Sequence, residues 1–270
     1  MIKLSCVARS DIGRIRENNE DNYYVNGTYR ACNETEADSC VDMEERERYL
    51  YAVCDGMGGE SFGERASLIA VEALAQYQTS ETKDAVLEYI QHANVLVCDE
   101  IKRNHGIRIG TTVALLHMNA GKATVFNVGD SRVYFYRKGV LTQMSEDHTQ
   151  AQQLFEMGLI EKDEIPCHRG KHRLTQHLGI FPEEMIIEPF ASSEIAVETG
   201  DIFLLCSDGL TDMLEEWELT QVFSNPEKDV AGMVGELVDI ALQQGGRDNI
   251  TAVVVRVEEM EGALHTGLSS

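Results

Sequence analysis

Hydrophobic residues along this chain fall into short runs of strand length, separated by charged or turn-forming residues. The runs are rich in branched and aromatic side chains, which favour β-strands. They are Ile2–Arg9, Asn22–Val25, Tyr49–Cys54, Gly110–Met118, Lys122–Val128, Arg132–Arg137, Val140–Gln143, Met185–Pro189, Ile195–Val197, Asp201–Cys206 and Ile250–Val257. The four consecutive runs between Gly110 and Gln143 predict an antiparallel meander.

Other stretches place apolar residues three and four positions apart, which is the spacing of an amphipathic helix. They are Glu60–Gln78, Glu81–Arg103, Thr149–Met157, Leu210–Phe223 and Asp229–Gln243. Strands and helices therefore come in blocks and not in strict alternation. This order predicts an α+β fold in which antiparallel sheets pack together and helix pairs lie outside them.

Two segments fit neither period. Residues 27–50 carry seven acidic residues and one arginine between Glu34 and Glu47, and we interpret them as an acidic insertion, either a solvated loop or an extended hairpin. Residues 145–173 are polar and contain histidines, which predicts a mobile flap. With four prolines and no Pro/Gly/Ser-rich linker, we expect one domain over residues 1–258 and a frayed tail over residues 259–270.

The composition narrows the possible partners. The chain has 23 basic and 46 acidic residues, a formal charge of −23, which disfavours nucleic acids and anionic membranes because both attract Lys and Arg. The seven cysteines include no Cys-x-x-Cys pair, so neither a disulfide framework nor a zinc site is indicated. No signal peptide or membrane-spanning run is present, and we therefore expect a cytoplasmic protein.

Four of the apolar runs have an aspartate at one end. Asp55, Asp130 and Asp208 follow such runs, and Asp248 precedes the last one. Strand ends meet at the rim of a sheet, so the four carboxylates could converge and would then repel one another. Oxygen ligands without a Cys or His cluster favour Mg²⁺ or Mn²⁺ over Zn²⁺. Alternatively, each aspartate only caps a strand or begins a turn.

Eight short motifs stand in an order that resembles the metal-dependent protein serine/threonine phosphatases, the PPM or type 2C family. The resemblance covers about residues 2–258. The motifs are R-x-x-x-E-D at Arg16–Asp21, DGMGG at Asp55–Gly59, GTT at Gly110–Thr112, VGDSR at Val128–Arg132, DHT at Asp147–Thr149, LTxxLG at Leu174–Gly179, SDGLTD at Ser207–Asp212 and DNIT at Asp248–Thr251. None of the motifs is specific alone, whereas the ordered set is.

The resemblance implies a β-sandwich of two antiparallel sheets flanked by helix pairs, in α-β-β-α layers, with a centre for two Mn²⁺ or Mg²⁺ ions at one end. It assigns these roles by position: Asp55 bridges both ions, Asp208 and Asp248 bind one, the Gly56 carbonyl binds the other, and Glu20 and Asp21 act through metal-bound waters. Asp130, with Asp208 and Asp212, would form a weaker third site. Alternatively, Asp130 only orients Ser131 and Arg132.

The activity that the resemblance implies is hydrolysis of phosphoserine and phosphothreonine in proteins, opposing a serine/threonine kinase. Two divalent cations supply hydroxide near neutral pH for an in-line attack on phosphorus. Arg16 is the candidate phosphate-binding residue, because guanidinium matches two phosphate oxygens at once. Alternatively, Arg16 forms a surface ion pair with Glu17 or Glu20.

One position departs from the eukaryotic members of the family, which carry a histidine where this chain has Met57. Either a metal-bound water or another histidine then protonates the leaving group, and His148 in the flap is one candidate. Two other functions stay open from the sequence: a catalytically inactive relative that binds phosphoproteins, and a structural metal-binding module. Both are disfavoured because the chain keeps the metal carboxylates, Arg16 and a flap.

Overall fold

Two antiparallel β-sheets packed face to face dominate the computed structural model, which describes residues 2–31, 38–58, 62–77 and 82–260. The strands are β1 (Ile2–Asp11), β2 (Asn22–Val25), β3 (Thr28–Tyr29), β4 (Asp38–Asp42), β5 (Arg48–Cys54), β6 (Gly56–Gly58), β7 (Ile109–Thr111), β8 (Val113–Asn119), β9 (Lys122–Val128), β10 (Arg132–Arg137), β11 (Val140–Gln143), β12 (Phe190–Ala191), β13 (Ile195–Ala196), β14 (Ile202–Cys206) and β15 (Ile250–Met260). The helices are α1 (Gly63–Ala75), α2 (Lys83–Arg103), α3 (Gln150–Glu156), α4 (Asp208–Thr211), α5 (Glu216–Phe223) and α6 (Val230–Gln243), with a 3-10 helix at Lys162–Cys167.

The strands of the described residues form two large sheets and a small ribbon. The first sheet has six strands in the order β11-β10-β14-β15-β1-β4. The second has the order β12-β9-β8-β5-β2-β3, and β13 also pairs with β9. The ribbon consists of β6 and β7. The fold class predicted from the sequence, an α+β sandwich, is confirmed.

Each central strand is buried on both faces, which explains its continuous apolar sequence. In β14, Phe203 and Leu205 pack into the core between the sheets, whereas Ile202, Leu204 and Cys206 pack against helices α4, α5 and α6. Side chains alternate across a strand with a period of two, so one apolar run serves two cores. Helices α1 and α2 cover the second sheet in the same way, and the result is four layers.

Side chains cap the helices that flank the sheets. Thr82 accepts a hydrogen bond from Ala85 N at the start of α2, and Asp229 accepts one from Gly232 N at the start of α6. Helix α1 begins at Gly63, and residues 60, 61 and 78 of the predicted Glu60–Gln78 helix lie outside the described residues. Among the helices described, none is both long enough and apolar enough to cross a membrane.

The chain changes sheets between β9 and β10, so the prediction of one continuous meander is wrong. Strands β8 and β9 pair in the second sheet, whereas β10 and β11 pair in the first. The crossing is made by Gly129, Asp130 and Ser131, and Gly129 has φ +104°, which glycine adopts without strain. Apolar periodicity predicted each strand but not its sheet, since both faces of both sheets are apolar.

Two other predicted elements also differ from the structure. Met185–Pro189 is not a strand: the Ile187 carbonyl accepts a hydrogen bond from the Gln91 side chain, and Pro189 has no N–H for a ladder. The predicted helix Leu210–Phe223 is two helices, because a capping box formed by Glu215 and Glu218 starts α5 anew.

The ends of the predicted insertion and tail are also more ordered than expected. Strand β4 lies inside residues 27–50 and pairs with β1 at the edge of the first sheet, and residues 32–37 lie outside the described residues. Strand β15 continues to Met260, beyond the expected start of the frayed tail at Glu259, and the rest of the tail, residues 261–270, is not described.

The core between the sheets predicts a large effect for Phe203→Ala. Phe203 is fully buried there and its ring lies 4.8 Å from the ring of Phe135, centroid to centroid. We expect the substitution to lower the free energy of unfolding by about 3–5 kcal/mol, because it leaves a cavity. Denaturant unfolding measures this change. Val140→Ala on exposed β11 is the control, expected within about 0.5 kcal/mol of the unsubstituted protein; equal effects would contradict the core described here.

Candidate metal centre

A cavity of about 690 Å³ opens at one rim of the sandwich, where several strands end. Six acidic side chains line it, together with two arginines, two histidines and backbone from the glycine-rich turn after β5. The acidic residues are Glu20, Asp55, Asp130, Asp208, Asp212 and Asp248. They come from five separate places in the chain. The strand-end pattern predicted that four of them could converge, and the family resemblance added Glu20 and Asp212.

Asp55 directly follows β5, and its backbone is held on both sides. Its N–H donates to Thr112 Oγ1 at 2.9 Å, and its carbonyl accepts from Thr111 Oγ1 and from Thr112 N, also at 2.9 Å. Burial raises the pKa of the Asp55 carboxyl well above its usual range, and the nearby Asp21 and Asp208 carboxylates raise it further. The threonines of the GTT motif therefore fix the position of a carboxylate that is costly to ionise.

Asn249 joins the loop after β1 to the start of β15. Its side-chain amide donates to the carbonyls of Ile12 and Asn18, both at 2.9 Å, and its Oδ1 accepts from Glu20 N at 2.8 Å. Asp248, which directly precedes Asn249, and Glu20 in the loop are thereby placed at the same rim. We did not predict this role from the sequence, and the only signal for it was the position of Asn249 inside the DNIT motif.

Glu20 sits against the start of helix α1. Its carboxylate accepts a hydrogen bond from Gly63 N at 3.2 Å, and its carbonyl accepts from Gly56 N and from Ser67 Oγ. Burial raises the pKa of Glu20, although the hydrogen bond from Gly63 opposes the shift. Gly56 leaves no room for a side chain, because a Cβ there would overlap the carbonyl oxygens of Gly63 and Glu20.

Asp21 lies behind the cavity and not on its wall. It is 2% exposed and accepts a hydrogen bond from Ser207 Oγ at 2.7 Å. Burial raises the pKa of Asp21 to about 7, and the Asp208 and Asp248 carboxylates act in the same direction. The charges of the other acidic residues therefore raise the pKa of Asp21. Its carboxylate is fixed in position by Ser207 of the SDGLTD motif.

A second group of ligand atoms lies beside Asp208. Oxygens of Asp130 and Asp208 and a ring nitrogen of His172 lie within 4.8 Å of one another, an arrangement that could hold a metal ion. His172 Nδ1 is 3.4 Å from Asp208 Oδ2, and its Nε2 is 3.2 Å from Asp212 Oδ2. The hydrogen bond with Asp208 raises the pKa of His172. Sequence reasoning named the three aspartates for a third site but missed His172.

The alternative role of Asp130 was to orient Ser131 and Arg132, but both of these side chains bond to other residues. Ser131 Oγ is 2.6 Å from Thr112 Oγ1, and the Arg132 guanidinium bonds Asp147 at 2.6–3.0 Å and the Tyr134 hydroxyl at 3.0 Å. Burial raises the pKa of Asp130 well above its usual range, and the negative charge of Asp208 raises it further. These contacts leave the Asp130 carboxyl facing the acidic group rather than its sequence neighbours.

Arg16 reaches the cavity from the loop after β1. Its Nη2 donates to Asp248 Oδ2 at 2.6 Å, while about half of its side chain stays exposed. This hydrogen bond raises the pKa of Arg16. The ion pair predicted as the alternative, with Glu17 or Glu20, is therefore not the one observed, and Arg16 is held at the cavity by a proposed metal ligand.

His148, the candidate proton donor, is occupied by the backbone. Its Nδ1 accepts a hydrogen bond from Gly129 N at 3.1 Å, and burial lowers its pKa. It does not line the cavity, whereas His172, His177 and Met57 do. The structure thus assigns His148 to holding the crossing between the sheets.

The donor set fits hard divalent cations. Its members are carboxylate oxygens and the backbone of Gly56, with one imidazole at the edge. Burial and mutual repulsion raise the pKa values of Asp55, Asp130 and Asp21. Cations of charge +2 would relieve that repulsion. These residues therefore fit a centre for Mg²⁺ or Mn²⁺.

Comparisons with known proteins find phosphatases that are similar to this chain over most of its length. The family model described as "Protein phosphatase 2C" matches residues 27–252. The serine/threonine protein phosphatase PstP of Mycobacterium tuberculosis is 30% identical over 263 residues, which are 96% of this chain but 46% of that protein. The chain thus spans about half the length of PstP. The serine/threonine phosphatase stp of Listeria innocua is 30% identical, and the match covers 94% of this chain and 96% of stp.

Solved structures are similar over the same span. The crystal structure of M. tuberculosis PstP superposes with a TM-score of 0.79 and 30% identity, covering 96% of this chain and all of that one. A second structure, the catalytic domain of PstP in complex with two manganese ions, has a TM-score of 0.76 and 29% identity. The similarity therefore extends over both sheets and the rim that carries the cavity.

Metal binding should stabilise the protein if the carboxylates form the centre. At about 100 times the dissociation constant, Mn²⁺ is expected to add about 2.7 kcal/mol, or roughly 5–10 °C in melting temperature. Asp55→Asn should remove most of this gain. It should also raise the melting temperature of the metal-free protein, because it removes one repelling charge. Differential scanning fluorimetry with and without Mn²⁺ measures both effects.

The matched control is Asp239→Asn, an exposed aspartate on α6 outside the cavity, which should keep the full manganese response. A response that survives in Asp55→Asn, or that is lost equally in both variants, would contradict the role of Asp55.

The raised pKa values predict how stability depends on pH. A carboxyl whose pKa is raised by folding, such as Asp21 at about 7, binds a proton in the folded state at pH values where the unfolded chain has lost it. Stability of the metal-free protein should therefore fall as pH rises towards and through about 7. We expect the melting temperature in EDTA to drop from pH 6 to pH 8 relative to the manganese-saturated protein. A constant difference between the two curves would contradict this prediction.

Proposed function

The chain belongs to the protein phosphatase 2C family, and on that basis we propose that it hydrolyses phosphoserine and phosphothreonine in proteins with Mn²⁺ or Mg²⁺ as cofactor. The observation that carries the proposal is the convergence of Asp55, Asp208 and Asp248 with Arg16 at one cavity. The two manganese ions bound in PstP support the choice of cofactor. An inactive phosphoprotein-binding relative has no such support, because the family's acidic positions and its arginine are all present.

We assign the ligands by matching the family motifs to positions in this chain. Asp55 would contact both ions, Asp208 and Asp248 one, and the Gly56 carbonyl the other. Glu20 and Asp21 would act through bound water, which suits the position of Asp21 behind the cavity wall. Asp130, with Asp208 and Asp212, would hold a weaker third ion. When bound, the cations would supply the Lewis acidity that activates water near neutral pH.

Arg16 would bind the phosphate group of the substrate. Its ion pair with Asp248 uses Nη2 and keeps the guanidinium at the cavity, while the other N–H groups of this half-exposed side chain stay available for phosphate oxygens. The same pair places the phosphate next to a proposed metal ligand. Arg16 thus orients the phosphorus atom for attack, and Lys in its place would lose the two-point contact.

His172 is the histidine with both the location and the charge to protonate the leaving serine or threonine oxygen. It lines the cavity, and its hydrogen bond with Asp208 raises its pKa, so the ring keeps a proton closer to neutral pH. His148 bonds the backbone of Gly129, and Met57 has no proton to give. Water remains the alternative donor.

The wider setting is also a proposal. A phosphatase of this kind opposes a serine/threonine kinase, so we propose phosphoproteins and their kinase as partners. Five cysteines of the described residues are free thiols, which suits the reducing cytoplasm: Cys6, Cys54, Cys98, Cys167 and Cys206.

Hydrolysis of p-nitrophenyl phosphate and of a phosphothreonine peptide tests the proposal directly. We expect turnover with Mn²⁺, its loss in EDTA, and at least an approximately 100-fold lower kcat in Asp208→Asn, because removing a metal ligand costs no less than removing a residue that supports one. Asp239→Asn is again the control. Absence of turnover across manganese concentrations and pH, in folded protein that still binds manganese, would contradict the enzyme and favour a phosphoprotein-binding role.

A further inference from the structure

A second cavity, of about 540 Å³, adjoins the proposed catalytic cavity. The two share Met57, Gly58 and His177, so a chain that places its phosphate in the first can continue into the second. We call the second cavity the side groove. Its remaining lining residues are Arg108, Ile109, Gly110, Gly179, Ile180 and Glu184.

The walls of the side groove are apolar and closely approached by backbone. Met57 and Ile180 are partly exposed in it, and Ile109 is buried at its base. Gly110 and Gly179 carry no side chains. A Cβ on Gly110 would lie 2.5 Å from His177 Nδ1, and one on Gly179 would clash with the Ile109 carbonyl oxygen. The groove is thus lined mainly by apolar side chains and by closely packed backbone.

The charged groups at the side groove are already neutralised. Both terminal nitrogens of Arg108 bond the Glu184 carboxylate, one of them at 2.9 Å, and the guanidinium lies 4.8 Å from the centre of the Phe181 ring. His177 Nδ1 lies 2.8 Å from the Leu178 carbonyl, to which it donates, and burial lowers its pKa, so the ring is neutral. Among the described lining residues, no unpaired charge is available to bind a charged ligand.

This neutral cleft contrasts with the rest of the molecule. The chain carries a formal charge of −23, which opposes the approach of a phosphopeptide. Affinity for the substrate must therefore come from short-range contacts near the cavity. An extended peptide advances about 3.3–3.6 Å per residue, so side chains one or two residues from the phosphorylated residue reach the adjoining groove.

We propose that the side groove binds an uncharged apolar side chain of the protein substrate, one or two residues from the phosphorylated serine or threonine. The groove would then set a sequence preference that the metal centre itself cannot provide. This inference rests on the proposed phosphatase function. Burial of an aliphatic side chain favours binding, whereas a charged side chain would lose its hydration without gaining a partner.

The first experiment uses phosphothreonine peptides that are alanine-rich and differ at one position only. Leu, Gln, Lys or Glu is placed at each of the two positions before and the two after the phosphothreonine. We expect kcat/KM for Leu to exceed that for Gln by about tenfold at one or more positions, with Lys and Glu lower still. Equal rates for Leu and Gln at all four positions, or a preference for Lys, would overturn the inference.

The second experiment compares two matched isoleucine substitutions. Ile180→Ser alters the groove, whereas Ile186→Ser alters a 73% exposed side chain outside it. We expect Ile180→Ser to reduce the Leu-over-Gln preference about fivefold or more, measured as a ratio within each variant and normalised to its turnover of p-nitrophenyl phosphate. Ile186→Ser should keep the preference. A preference that survives Ile180→Ser would overturn the inference.

The outcomes separate the inference from the proposed function. Turnover of p-nitrophenyl phosphate and of all peptides without a preference for Leu would contradict the side groove alone. Absence of turnover for every substrate would contradict the phosphatase function and the inference with it. If Ile180→Ser does not fold, the peptide series on the unsubstituted protein still decides, because it needs no variant.

Discussion

Mutual repulsion among carboxylates gathered at one rim is the constraint on which the rest of this structure depends. Burial and neighbouring negative charge make Asp55, Asp130 and Asp21 costly to ionise. The chain holds them together with neutral groups: threonine hydroxyls at Asp55, Ser207 at Asp21 and the Asn249 amide at the loop after β1. Bound cations would relieve the repulsion at the rim, and the rigid sandwich keeps the carboxylates close together without them.

That rigidity follows from the way in which each central strand serves two cores. Phe203 and Leu205 face the opposite sheet while Leu204 and Cys206 face the helices, so moving a strand end would disturb both cores. A side chain placed directly after such a strand inherits its position. The loops around the rim are the part of the structure that would set the preference for one substrate over another. The proposed side groove beside Met57 is formed partly by these loops.

The sequence predicted most of the strands and the acidic positions, because each depends on a local pattern. Apolar runs delimited β9, β10 and β11 as observed, and the aspartates near the ends of β5, β9, β14 and β15 pointed to the rim. Sheet membership was not predictable, since the crossing at Gly129 leaves no periodic signal. His172 was missed because a single histidine in a polar segment looks the same whether it is exposed or faces two aspartates. The side groove was missed because it depends on distant segments meeting.

The pairing of the first strand with the last has a consequence for biosynthesis. Strand β1 pairs with β15 along its whole length, from Ile2 opposite Met260 to Asp11 opposite Ile250. Asp248 and Asn249 arrive immediately before β15, so a chain still emerging from the ribosome lacks both until the other strands of the two sheets have been translated. Such long-range pairing also slows folding. The proposed metal centre is consequently incomplete in the nascent polypeptide until β15 closes the first sheet.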